Sequence, residues 1–239
     1  MNKFLEVKNK IQTKGYWKIK FYPRNFEKDR FPTEKLHSTV QSSITSLRGW
    51  SYPQYKRDYQ GRQKTRNTNE GIKSWCDVGR FKDIWIFHRE GLFAQNVALG
   101  EDWFEEEPEI TSFYKGVESN KYLFILGAIY SFTEFILFIK SVIETLEIQE
   151  GFYLSVELIN TEGRKLTFWD QTRYLSQEYS CDEEKVVLIN RDFDYEELIV
   201  NHKGVIKEGL LNLFKMFNWD LVPESLIDDE VGKFLRREI

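Results

Sequence analysis

Apolar residues alternate with polar ones in some stretches of the chain and recur every three or four positions in others, and these two periods separate strands from helices. The clearest run covers residues 122–160. Its first part, 122–139, carries a single charge, Glu134, over a length that reaches the usual threshold of about 18 residues for a membrane span. Within it, Ser131-Phe132-Thr133-Glu134 has the spacing of a capping box, in which the Ser hydroxyl and Glu carboxylate each accept from the other's backbone N–H. A helix is therefore predicted to start at Ser131, with Phe132, Ile136, Ile139, Ile143 and Leu146 on its buried face and Lys140, Glu144 and Glu147 elsewhere. Residues 122–130 then read as a buried strand. After Gly151, Phe152, Leu154, Val156 and Leu158 alternate with Tyr153, Ser155 and Glu157, which predicts a half-buried strand.

The same reading extends to both sides. Trp17, Ile19 and Phe21 alternate with Lys18 and Lys20 up to Pro23, as in a strand with one wet face. Pro32-Thr33-Glu34 opens a helix to about residue 46 with Leu36, Val40 and Ser43 inward. Residues 84–88 and 92–99 read as a hairpin around Arg89-Glu90-Gly91. Residues 163–169 are expected to return as the partner of the 152–158 strand, and residues 184–190 form a further strand. Ile206, Leu210, Leu213, Phe214 and Phe217 make one helical stripe, and 223–237 supports a last amphipathic helix. This order predicts an α+β fold, with a mixed, mainly antiparallel sheet or sheets and helices packed on one face. We expect one domain over residues 1–239, a division near 112–120 being the alternative.

Composition narrows the class. The 239 residues are 41% hydrophobic and 30% charged, which fits neither a disordered nor a membrane-embedded chain. Net charge is −4, so any attraction to nucleic acid or anionic lipid must come from a local patch, and no membrane partner is expected. Cys76 and Cys181 have no metal-ligand or redox spacing, and residues 1–14 lack the apolar core of a signal peptide. A reducing, cytoplasmic location is expected.

The main basic stretch is residues 55–73. Lys56, Arg57, Arg62, Lys64, Arg66 and Lys73 stand against only Asp58 and Glu70, and a mobile loop is predicted because little there offsets the entropy of ordering a backbone. Interleaved Tyr55 and Tyr59, with Arg48 and Trp50 upstream, combine phosphate-neutralising charge with stacking surfaces. The candidate ligand-binding residues are thus Arg48, Trp50, Tyr55, Tyr59, Arg62, Lys64 and Arg66. The plainer reading is a solvated loop whose cations pair with the acidic stretch 101–109, itself read as a solvated face. Trp50 is expected to be largely buried, beside a Gly49 with positive φ or close packing.

Catalytic signals are sparse. His37, His88 and His202 lie in no motif, and the sequence has no HExxH, CxxC, calcium loop or phosphate-binding glycine loop. No cofactor is expected. Asp77, Glu157 and Lys165 supply residue types that a metal-dependent nuclease needs, but a hairpin turn separates Glu157 from Lys165.

Several stretches in order, Gly15-Tyr16-Trp17 with Pro23 and Phe26, Leu47-Arg48-Gly49-Trp50 with Tyr52-Pro53, Gly91-Leu92-Phe93 before Glu101-Asp102-Trp103, Phe132-Thr133-Glu134, and Leu213-Phe214 with Phe217-Asn218-Trp219-Asp220, span most of the chain. Together they resemble a little-characterised bacterial domain found beside Schlafen AlbA-type domains, a class associated with nucleic-acid binding. The chain has no AlbA-type segment of its own, and the resemblance carries over no catalytic residue. It implies a non-enzymatic binding or sensing module of a bacterial regulatory or antiviral-defence system, with a nucleic acid, a nucleotide or a protein as partner. The alternative is a metal-dependent nuclease or other hydrolase with a site assembled from distant strands. The two differ in whether carboxylates from distant strands meet in a pocket, or a cleft is lined by Arg48, Trp50 and the basic stretch.

Overall fold

A computed structural model of the chain describes residues 2–55, 63–107, 117–168 and 173–238. Its strands are β1 (Tyr16–Pro23), β2 (Gln63–Thr68), β3 (Gly71–Val78), β4 (Phe81–His88), β5 (Phe93–Ala98), β6 (Tyr122–Phe124), β7 (Phe152–Ile159), β8 (Lys165–Thr167) and β9 (Lys185–Phe193). The helices are α1 (Lys3–Ile11), α2 (Thr33–Ser43), α3 (Ile125–Leu146), α4 (Tyr195–Met216) and α5 (Glu224–Arg236), and a 3-10 turn covers Gly100–Glu106. Seven strands form an antiparallel sheet in the order β2-β3-β4-β5-β1-β7-β9, and β6 and β8 pair in parallel as a separate ribbon. The α+β class and its mainly antiparallel sheet are as the periodicity predicts.

The alternation in β1 places Trp17, Ile19 and Phe21 on the face that α3 covers, in register with Val97, Gln95 and Phe93 of β5 and with Leu158, Val156 and Leu154 of β7. Trp17 meets Phe135 of α3 edge-on at 5.5 Å. Helix α3 is then sandwiched. It packs against α4, where Gly209 is so close to Phe132 that a Cβ would lie 2.4 Å from the ring, and against α2, where Ser141 Oγ donates to Ser43 Oγ at 3.0 Å. The short α1 lies on the opposite face of the sheet, where Val7 and Ile11 cover Tyr16, Trp75, Ile84 and Ala98. By length and composition α3 could cross a membrane, but most of it is buried inside the protein, as in the core helix of a soluble globular domain.

Four local expectations are corrected. Helix α3 begins at Ile125, not Ser131, so only Tyr122–Phe124 is extended. Ile125, Ala128 and Ile129 continue the apolar face of Phe132 and Ile136, and adding residues to a formed helix is easier than nucleating one. Ser131 and Glu134 bond Arg48 instead of capping. The end of the basic stretch is not a loop: Gln63–Thr68 and Gly71–Val78 pair as a hairpin. At Gly71 a side chain would lie 2.1 Å from the Phe87 carbonyl oxygen. Strand β2 is at the sheet edge, where charged side chains guard unpaired backbone and no apolar period is needed. Strand β8 pairs with β6, not β7, because Asn160 at positive φ and the buried Arg164 turn the chain away from the sheet. The acidic stretch is not wholly solvated either, since Asp102, Trp103 and Phe104 are buried.

Candidate ligand pocket

Beyond the end of β4 that starts at Phe81, and over the α3 face, lies a pocket of about 1050 Å³. Its first wall is the segment after α2. Thr45 and Tyr52 exchange backbone hydrogen bonds of 2.8 Å, closing a loop that presents Arg48, Gly49 at φ 81° and Trp50. Gly49 therefore has the predicted backbone freedom, whereas Trp50 is half-buried rather than largely buried, because its ring forms the pocket wall. The indole lies 4.8 Å from Phe81, with the Arg48 guanidinium over it at 4.8 Å and Arg80 at 5.9 Å. Arg80 also spans the rings of Phe81 at 5.2 Å and Phe104 at 5.8 Å. Cations over aromatic faces are attracted by the ring quadrupole, and Arg80 is also paired with Glu107 at 3.6 Å.

The Arg48 guanidinium is fixed from behind by an ion pair with Glu134 and a 3.2 Å hydrogen bond to Ser131 Oγ. Burial raises the Glu134 carboxyl above the ordinary glutamate range, and the Arg48 charge offsets only part of this. On the floor, Tyr52 donates to Gln95 Oε1 at 2.6 Å, and Asp83 Oδ2 accepts from Gln95 Nε2 and the Gln54 amide, both at 3.2 Å. Burial pushes Asp83 up to about 7 against those bonds. Glu101, half-buried at the start of the 3-10 turn, accepts from the Phe124 amide at 3.1 Å. Burial and the neighbouring Asp102 charge push it up to about 7 as well. A carboxyl held near neutrality in a pocket is a candidate functional group. The last wall combines Tyr130 of α3, Arg173, and Glu230 and Lys233 of α5.

Of the residues singled out in the sequence, Arg48 and Trp50 line this pocket. Tyr55 does not: its hydroxyl meets His37 Nδ1 at 2.8 Å and its ring stacks on Trp85 at 6.2 Å. Lys64 and Arg66 belong to β2, Lys64 in register with Trp75 and Arg66 over the Trp75 ring at 5.5 Å, on the α1 face of the sheet. Tyr59 and Arg62 lie outside the described residues. Asp77, Glu157 and Lys165 are not brought together. Asp77 is bound to Lys10 at 2.9 Å and Lys82 at 3.0 Å, Glu157 to Lys18 at 3.0 Å and Lys185 at 3.2 Å, and Lys165 to Glu178 at 2.7 Å. With four interstrand steps between β3 and β7, Asp77 and Glu157 are separated by roughly 19 Å at ~4.8 Å per step. Among the described residues no group of three or more His, Cys, Asp or Glu is placed to hold a metal ion.

Sequence reasoning missed Arg80, Asp83, Glu101, Arg173 and Glu230 as pocket residues and took Glu134 for a cap. Two signals were present. Glu134 is the lone charge in a long apolar run, and a charge on a buried face needs a partner. Glu101 and Asp102 precede Trp103 and Phe104, whose bulk carries the acidic stretch inward.

The fold and site together define an α+β protein whose seven-stranded antiparallel sheet carries an aromatic, cation-lined pocket at one end. Compared with protein-family models, curated proteins and solved structures, the chain matches none of them.

Proposed function

We propose that the protein is a binding or sensing module whose pocket takes a nucleotide, free or as the end of a single strand. The observation that carries this reading is the half-buried Trp50, backed by Phe81 and flanked by Arg48 and Arg80, in a cavity of about 1050 Å³. A flat base needs an aromatic face, its phosphates need cations, and ligand pockets commonly measure ~300–1,000 Å³. The resemblance to the domain found beside Schlafen AlbA-type domains adds a setting, a cytoplasmic bacterial regulatory or antiviral system. A protein partner is the competing ligand class within this reading.

The test is equilibrium binding of nucleotides and short single strands at low salt, followed by calorimetry, with the change in total tryptophan fluorescence compared between wild type and Trp50→Ala. Trp50→Ala should weaken binding by about 1–3 kcal/mol through lost stacking, and added salt should weaken the wild type. If neither nucleotides nor single strands bind, the reading fails.

A second reading, a hydrolase, draws on Asp83 and Glu101, two carboxyl groups pushed up to about 7 in the same pocket. A carboxyl near neutrality is suited to general acid chemistry. Turnover of a phosphoester that Glu101→Gln abolishes, with binding intact, would favour it.

A further inference from the structure

On the wall shared by α3 and α5, Glu230 is 4% exposed and surrounded by donors. Its Oε2 accepts from the Tyr130 hydroxyl at 2.9 Å, and its Oε1 from Arg173 Nη1 at 3.0 Å and Lys233 Nζ at 3.1 Å. Arg237 lines the same pocket, and so does Glu238, which is taken up by Arg236 at 2.8 Å. Burial alone would raise the Glu230 carboxyl, but the bonds from Lys233, Tyr130 and Arg173 outweigh it and hold the group below the ordinary glutamate range. One carboxylate would be neutralised by one cation. Here it draws a guanidinium, an ammonium and a phenol hydroxyl to a single point in the lining of a large cavity, with another cation nearby. A phosphate offers the same acceptor geometry with more oxygens and more charge, so it competes for the same donors.

We propose that Tyr130, Arg173 and Lys233 form a phosphate subsite that Glu230 occupies in the free protein, and that a nucleotide phosphate displaces its carboxylate. This rests on the nucleotide reading above and narrows it to a free nucleotide whose base reaches Trp50 while its phosphates reach α5.

The experiment is calorimetric titration of the full chain with the four ribonucleoside triphosphates and the matching nucleosides at low salt, comparing wild type with Glu230→Gln. Glutamine preserves volume and removes the internal competitor. At least one triphosphate should bind E230Q about tenfold tighter or better, with nucleoside affinities unchanged. A purely structural ion pair predicts the opposite, equal or weaker triphosphate binding, and that result overturns the proposal. Should E230Q fail to fold, Lys233→Ala serves instead, since Lys233 is 42% exposed. It should weaken triphosphate binding about fivefold or more, and unchanged affinity overturns the proposal. Trp50-dependent nucleotide binding with no gain in E230Q sinks the subsite and leaves the pocket reading standing. Absence of nucleotide binding in both proteins sinks both.

Discussion

Removing either partner of the Asp102–Arg164 pair should be among the most damaging single changes outside the apolar core. Neither side chain reaches solvent, at 1% and 0% exposure, so each charge depends wholly on protein groups. The guanidinium spends every donor: Nε on the Asn160 carbonyl at 2.6 Å, Nη1 on Asp102 Oδ1 and the Tyr122 carbonyl at 3.0 Å, and Nη2 on Asp102 Oδ2 at 2.5 Å and Asn120 Oδ1 at 2.9 Å. Asp102 also accepts from the amides of Gly15 at 2.9 Å and Asn120 at 2.8 Å. The pair therefore ties the entry to β1, the 3-10 turn, the start of β6 and the loop after β7 to one point. Breaking a buried pair by removing one partner costs about 3–5 kcal/mol, because the remaining charge is stranded. For a chain of this size each kcal/mol lowers Tm by roughly 2–4 °C, so Arg164→Met or Asp102→Asn should lower it by about 6–20 °C. Gly15→Ala should strike the same node, since a Cβ there would lie 2.3 Å from Arg164 Nη2. Thermal and urea unfolding followed by circular dichroism give the values. The double variant should lose less than the sum of the singles. Single variants that shift Tm by less than about 2 °C, or strict additivity, would refute the reasoning.

Two further outcomes follow from the pocket. Burial pushes Asp83 up to about 7 from the ordinary carboxylate value of 3.8, so the folded chain keeps a proton that the unfolded chain releases. The contribution is complete below about pH 4 and is lost as the pH rises through about 7. Asp83→Asn keeps the neutral shape at every pH, so its stability relative to wild type should climb between about pH 4 and pH 7 and level off above; curves that stay parallel would rule this out. The double change Arg48→Met with Glu134→Leu should leave unfolding stability equal or higher while abolishing salt-sensitive nucleotide binding. A loss of stability above ~2 kcal/mol would contradict the view that the pair positions rather than stabilises.

The framework of the fold was legible where one side of an element is buried and the other wet. Strands β1 and β7, the β4–β5 hairpin and the stripes of α4 and α5 carry that pattern openly. It failed where a different constraint governs the residues. Strand β2 has charges because it is an edge, and β8 follows Arg164, whose buried guanidinium no periodicity announces. Of the site, the adjacent cation and aromatic at Arg48 and Trp50 could be read locally. Arg80, Asp83, Glu101 and Glu230 could not, because they come from a turn, a strand, a 3-10 turn and a helix that meet only in the folded chain.

The capping-box spacing at Ser131 and Glu134 misled for an instructive reason. Both residues bear the hydrogen-bonding groups a cap needs, but inside α3 the amides they would satisfy already belong to the helix ladder, so the side chains are left to find other partners. Arg48 is that partner. As a stabiliser the pair is poor: Glu134 Oε1 and Arg48 Nε are buried with no hydrogen-bond partner among the described residues, and burial raises the Glu134 carboxyl despite the guanidinium beside it. Desolvation of that kind commonly outweighs the attraction, and apolar residues of the same volume then hold a core as well or better. What apolar residues cannot do is hold a cation over the Trp50 ring at a pocket wall. The one charge on the buried face of α3 is thus the link by which the core helix sets the geometry of the site.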